Sequence, residues 1–477
     1  MKFKKLMKLI VSTTVLTSMF GSTFVSAATI PSSIGSTALD DENVLKIDVD
    51  DNGDLTYTLP KGHTSSNLQE MEDRPFTWDN ANVYFVMTDR FYNGDKSNDH
   101  SYERSTTEKD ASNYENRQGT FHGGDLKGMT QKIEAGYFDD LGVNAIWITA
   151  PYEQIHGALC GTGFKHYAYH GYYALDFSNM DANMGTEEDL ENFIDTAHSH
   201  GIRVVFDIVM NHAGYADAYT ANEYGFGKLS SNWKDIYYNW SESQYQWYND
   251  YSEEAASKGS QGMMVPNGDW VTNWWGPSWI RALGNRLNGY EGIEDAGGDL
   301  TMCSKGLPDF KTETTNDPGL PGILKVKWQR EGRYDKEMAE LNNFFSTSGR
   351  QKKVANYIVK WLTDWVREYG VDGFRCDTAK HVELENWKTL KEESVKALKE
   401  WRQNNPDKPG ANWTDDFWMT GEAWGHGVDK DGYYTSGGFD SMINFSYQGN
   451  ENSLEQPLKV YIQIMQIKLI MILILMF

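Results

Sequence analysis

One local pattern occurs three times in this chain and restricts its fold more than any other feature. A helix-period segment ends at a glycine, a β-branched residue follows, and a short apolar strand begins. Leu141-Gly142-Val143 leads into Ala145-Ile146-Trp147-Ile148, His200-Gly201-Ile202 into Val204-Val205-Phe206, and Tyr369-Gly370-Val371 into Gly373-Phe374-Arg375. Glycine just past a helix takes the left-handed conformation that reverses the chain. The preceding helices are well patterned: Leu190, Phe193, Ile194 and Ala197 share one face, as do Val354, Tyr357, Ile358, Trp361, Leu362, Trp365 and Val366. Strands alternating with helices imply a parallel sheet wound in one sense.

Val83–Met87 and Phe417–Thr420 bring the recognisable strands to five. The expected fold is α/β, a (β/α)8 TIM barrel with an incomplete set of recognisable strands and its chemistry at the carboxyl ends of the strands. A doubly wound open sheet is the rival, but no Gly-x-Gly-x-x-Gly follows the first strand. About 140 residues separate His212 from Gln351, where a barrel unit takes roughly 30. That stretch, rich in Trp, Tyr, Gly and Asn, reads as an inserted subdomain, because structureless loops of such length are rare. The expected boundaries are a leader over 1–27, an N-terminal extension over 28–77, barrel over 78–212, insertion over 213–350, barrel again over 351–455 and an atypical tail over 456–477.

Lys2, Lys4, Lys5 and Lys8 precede the mostly apolar Leu9–Gly21 and the small-residue run Val25-Ser26-Ala27-Ala28. This is the order of a secretory signal peptide, cleaved near Ala27, so we expect export, either secreted or periplasmic. The apolar stretch falls short of the about 20 residues that span a bilayer, though a retained amphipathic anchor is the alternative. Cleavage would take the formal charge from −24 to −28. A surface this acidic repels phosphate backbones and anionic lipid, which argues against nucleic acid and stable membrane association as partners. Seventeen Trp and 27 Tyr fill core and also suit stacking on sugar rings.

Cys160, Cys303 and Cys376 permit one disulfide at most. Cys376, between Arg375 and Asp377 on a strand, should point away from both and pack as a small hydrophobe. No cysteine and histidine spacing indicates zinc, and His166 with His170 is a weak pair for it. Asp48, Asp50, Asn52 and Gly53 imitate the start of a calcium loop, but Leu59 occupies position twelve, so a turn between two short strands is the better reading. From about Gln456 the composition changes, ending in nine apolar residues from Leu469 to Phe477. We expect the product to diverge or continue there, as a reading-frame change or a fragment would produce.

The expected strand ends carry Asp207-Ile208-Val209-Met210-Asn211-His212, then Arg375-Cys376-Asp377 with Lys380 and His381, then Gly421-Glu422. Arg375 and Asp377 lie on one strand face, so the guanidinium can hold the carboxylate ionised. Glu422, facing a second carboxylate with less cationic help, should have its pKa raised. Two carboxyl groups with separated pKa values are what glycosidic cleavage requires.

These segments resemble the signature regions of the α-amylase family of retaining glycoside hydrolases: Asp207–His212, Leu307-Pro308-Asp309, Gly373–His381 and Gly421-Glu422. Val83–Phe91, Gly119–Gly128, Tyr167–Tyr173 and Trp418–Gly427 are most like the family's bacterial periplasmic members. The resemblance implies Asp377 as nucleophile, Glu422 as general acid/base and Arg375 holding the nucleophile. It implies that His170, Tyr172 and His212 line the subsite of the attacked sugar, and that Lys380 and His381 meet the leaving-group side. A calcium ion would take Asn211, Asp309 and the His381 carbonyl, against an alternative in which Asn211 and Asp309 are turn and cap residues. A second ion would take Asn93, Asp95, Asn98, Asp99 and Asp125, unless that segment is only a loop. The substrate implied is starch, glycogen or maltodextrin.

The family's third acid, in a His-Asp pair after the seventh strand, has no counterpart after Glu422, and strands six to eight are not recognisable. That predicts impaired turnover in this chain. A non-catalytic glucan-binding protein and an α-glucan transglycosylase therefore stand beside hydrolysis as alternatives.

Overall fold

The computed structural model describes residues 46–49, 55–58, 75–104, 119–160, 165–226, five positions between 229 and 237, 274–281, 298–303, 307–427 and 429–445. The expected leader, the tail from 456 and any strand beyond 445 lie outside the described residues. The chain divides into two units, Met1–Asn80 with Phe445–Phe477, and Ala81–Asn444. In the first, Lys46–Val49 and Leu55–Thr58 pair antiparallel with Val49 opposite Leu55. Asp48 lies within the first of these strands, and the expected turn at Asp50, Asn52 and Gly53 lies outside the described residues.

The second unit is built on six parallel strands: β1 (Val83–Val86), β2 (Ala145–Ile148), β3 (Arg203–Val209), β4 (Gly373–Asp377), β5 (Trp418–Gly421) and β6 (Ser441–Met442). They lie side by side in chain order. Chain-order neighbours without a reversal are the arrangement of a barrel wall, not of a doubly wound sheet. β6 is a strand the sequence does not announce, because two residues leave no pattern.

The longer helices among the described residues are α1 (Leu126–Glu134), α2 (Glu187–Ser199), α3 (Ala218–Tyr224), α4 (Gly322–Glu331), α5 (Tyr334–Ser348), α6 (Val354–Tyr369) and α7 (Leu384–Asn404). Thr186 and Asp189 cap α2 reciprocally, each side chain bonded to the other's backbone amide. The patterned apolar residues of α2 and α6 are all buried. Among the three repeat glycines, Gly370 is constrained twice: its φ is +78°, and a Cβ there would lie 2.5 Å from the Trp401 ring.

Every residue of β3 is buried, as expected of a central parallel strand covered on both faces. Trp328 of α4 and Leu341, Phe344 and Phe345 of α5 join the core that holds α6. The latter part of the 213–350 stretch therefore packs its apolar faces onto the barrel helices. Trp361 of α6 stacks on Phe177 and Trp279 at this junction. Truncating a buried tryptophan of this kind costs about 3–5 kcal/mol. Cys376 is fully buried, and burial raises its thiol pKa. Among the described residues no helix is long and apolar enough to cross a membrane.

Candidate active site

Alternation along β4 puts Arg375 and Asp377 on one face and Cys376 on the other. Arg375 Nη1 donates to Asp377 Oδ1 at 2.9 Å and to Asp207 Oδ1 at 2.8 Å, while Nη2 lies 2.6 Å from Glu422 Oε2. One planar guanidinium thus gathers three carboxylates from three successive strands, a task its fixed fork of donors suits. The rings of Trp147 and Tyr172 flank it at 5.3 and 6.0 Å.

Burial disfavours charge on Asp207, Arg375 and Glu422, and the ion pairs oppose it. The Arg375 pKa is raised because Asp207 and Asp377 outweigh burial. Asp207 is wholly buried and pushed up to about 7; burial raises it, Arg375 pulls it down and Asp377 pushes it up again. Glu422 is raised by burial, against Arg375, with Asp377 adding to the rise. One expectation needs correction. Glu422 does not have less cationic help than Asp377, since the second arm of the guanidinium reaches it directly. Strand alternation reveals which side chains share a face but not how far an arginine extends across the sheet.

Asp207, to which the sequence resemblance gives no role, is the most enclosed acid of the site. Tyr172 donates its hydroxyl to Asp207 Oδ2 at 3.0 Å and Trp147 its indole N–H at 3.3 Å. The ladder sets Arg375 opposite Asp207. The available signal was an acid inside the apolar run Val204-Val205-Phe206-Asp207-Ile208-Val209, because a buried charge demands a partner.

His170, Tyr172 and His212 come together beside this cluster. The rings of His170 and Tyr172 stack at 5.3 Å, and the Tyr172 amide donates to His170 Nδ1 at 3.0 Å. That acceptor role places the neutral ring's proton on Nε2, which is buried with no hydrogen-bond partner. Burial holds His170 well below its usual pKa and His212 down to about 4, so both are neutral donors. His212 Nε2 donates to the Tyr172 carbonyl at 3.1 Å. Lys380 and His381 occupy the turn after Asp377 and turn to Asp299, whose carboxylate lies 3.1 Å from Lys380 Nζ. The Asp299 carbonyl lies 2.5 Å from His381 Nδ1.

Among the described residues no group of three or more His, Cys, Asp or Glu is poised to hold a metal. The two expected oxygen sets depend instead on amides and carbonyls. One terminal atom of the Asn211 amide lies 3.1 Å from both Asp309 Oδ1 and the His381 carbonyl oxygen. Asp309 Oδ2 is taken by Arg281 at 3.1 Å. In the early loop, Asp125 caps α1 through Gly128 N at 2.6 Å and also accepts from the Gly94 and Asp95 amides. Asp95 is taken by Ser97 and Lys127, and Asn93 donates to Asp99. A loop-only reading accounts for Asp95 and Asp125, but Asn93 Oδ1 and Asn98 Oδ1 are buried without hydrogen-bond partners.

A parallel barrel wall carrying acids and an arginine at its carboxyl end defines a class, the barrel enzymes that work at their strand ends. Residues 85–282 and 335–473 match the model described as alpha amylase, catalytic domain, and the chain belongs to that family. It is 46% identical over 391 residues to the periplasmic alpha-amylase of Escherichia coli (strain K12), covering 78% of this chain and 51% of that protein. It is 26% identical over 345 residues to the alpha-amylase of Streptomyces lividans, covering 69% and 31%. Over 135 residues it is 38% identical to the cyclomaltodextrin glucanotransferase of Paenibacillus macerans, covering 28% and 18%. The chain spans about half the length of the first of these relatives and less of the other two.

Proposed function

We propose that this chain carries the catalytic centre of an exported α-amylase that hydrolyses internal α-1,4 bonds of starch, glycogen or maltodextrin with retention. The observation that carries this reading is the single guanidinium that gathers Asp377 and Glu422. Asp377, held by Arg375, attacks the anomeric carbon. Glu422, whose raised pKa keeps a proton available, protonates the departing oxygen. In the second half Glu422 takes a proton from water, which displaces Asp377 from the sugar.

Asp377 adds to the rise that burial gives the Glu422 pKa. Tyr172 offers its ring for stacking, and the unpartnered Nε2–H of His170 is a ready donor to a sugar hydroxyl.

Calcium fits the Asn211, Asp309 and His381 set. With its oxygen turned toward Asp309 and His381, the Asn211 amide completes three hard oxygen donors at one point. In that role the ion would tie the insertion to β3 and the turn after β4. The bare oxygens of Asn93 and Asn98 support a second ion in the early loop with Asp95, Asp99 and Asp125.

Product analysis on soluble starch tests the reading. New reducing ends without cyclic products are expected. Cyclic products would assign a transglycosylase, and unchanged starch with measurable binding a glucan-binding protein.

A further inference from the structure

β4 and β5 run as a regular parallel ladder up to Cys376 and Gly421, and the ladder then skips one residue. The Glu422 amide donates to the Cys376 carbonyl at 2.9 Å. In a regular parallel ladder the Glu422 carbonyl would then accept from the amide two positions beyond Cys376, that of Thr378. It accepts instead from Ala379 at 2.7 Å. The extra residue is Thr378, at φ +48° and ψ +41°. A β-branched residue in the left-handed region is strained, and such strain together with bulged ladders gathers at functional sites. The Thr378 side chain does not explain the conformation, because its hydroxyl is buried without a hydrogen-bond partner. The Thr378 amide, released from the ladder, acts against burial at Glu422 and lowers that carboxyl's pKa.

We propose that Thr378 is a positioning residue whose left-handed bulge frees one backbone N–H to hold and orient the carboxyl of Glu422. The inference rests on Glu422 being the proton donor of the proposed hydrolysis. A donor aimed at the charged form opposes burial and the Asp377 carboxylate, so the group can lose its proton in one half-reaction and regain it in the other.

The test replaces the Thr378 amide by an ester in the full chain, using the α-hydroxy analogue of threonine. The Glu422 carboxyl is followed by carbon NMR, assigned with Glu422→Gln. Its titration midpoint should rise by roughly one pH unit, the effect of losing one donor to the carboxylate. Thr378→Val, which keeps the amide, should leave the midpoint in place. Thr378→Gly should also leave it in place and raise the melting temperature by about 1–3 °C through relief of strain. An unmoved midpoint in the ester variant overturns the proposal. So does a shift in Thr378→Val as large as the ester's, or a lower melting temperature in Thr378→Gly. The titration reads Glu422 without turnover, so failure to cleave starch would count against the proposed function and leave this result standing.

Discussion

Arg375 approaches Glu422 more closely than it approaches Asp377, at 2.6 against 2.9 Å. The arginine is therefore the common tether of both carboxyl groups. An ammonium is a point charge and cannot span three carboxylates in one plane. Arg375→Lys should lower kcat on the order of 10²-fold with little change in KM, measured on soluble starch. A lysine variant with unchanged kcat would show that the fork is dispensable.

Asp377→Asn tests the nucleophile. The amide keeps the size of the side chain and the wall of His170, Tyr172 and His212, while no glycosyl bond can form. Turnover should fall on the order of 10³-fold or more, with maltodextrin affinity by calorimetry near that of the parent. Retained turnover would refute the assignment.

The barrel was legible because its signals are local. Gly142, Gly201 and Gly370 each follow a helix, and those before Gly201 and Gly370 carry apolar faces repeating every 3.6 residues, so each signal is complete within a few turns. β6, the Arg375–Glu422 pair and the enclosure of Asp207 are set by which strands adjoin, which no short window contains. The early loop lies between these cases. Its Asn and Asp residues mark a turn in any fold, and the bonds of Gly94, Asp95 and Asn98 to Asp125, with the packing of Gly123 against Asn93 and Asp99, gather them.

Asp207 gives a prediction whose sign follows from its raised pKa. The folded protein binds this proton up to about 7, against an ordinary value of 3.8. Between those values the folded state holds more protons than the unfolded one, so this group's contribution to stability is present below 3.8 and lost as pH rises through about 7. Asp207→Asn cannot titrate. Its melting temperature, scanned from pH 4 to 7, should decline less with pH than the parent's. Parallel profiles would mean that Arg375 keeps Asp207 ionised throughout.

A chelator should lower the melting temperature, and added calcium should restore it. An ion at 100 times its dissociation constant stabilises by about 2.7 kcal/mol. Asn211→Ala removes one of the three gathered oxygens and should abolish most of the response. A parent transition indifferent to both chelator and calcium would leave Asn211 and Asp309 as turn and cap residues.

His156 sets an alkaline limit on the fold. Its ring is wholly buried between Glu153 Oε1 at 2.8 Å and Glu223 Oε2 at 2.5 Å, with Tyr102 stacked on it at 3.7 Å. Burial alone would lower its pKa, and Arg104 acts the same way, but the hydrogen bonds to Glu153 and Glu223 outweigh both and raise it. Asp217 also faces the ring. A raised histidine contributes stability that is complete below its ordinary value of 6.5 and disappears as pH climbs through the folded value. Glu223 belongs to α3, so deprotonation releases that helix from the segment carrying Glu153 and His156. His156→Gln should lose about 1–3 kcal/mol at pH 6, and its deficit relative to the parent should shrink at pH 9. A deficit equal at both values would mean the ring is neutral and acts by shape alone.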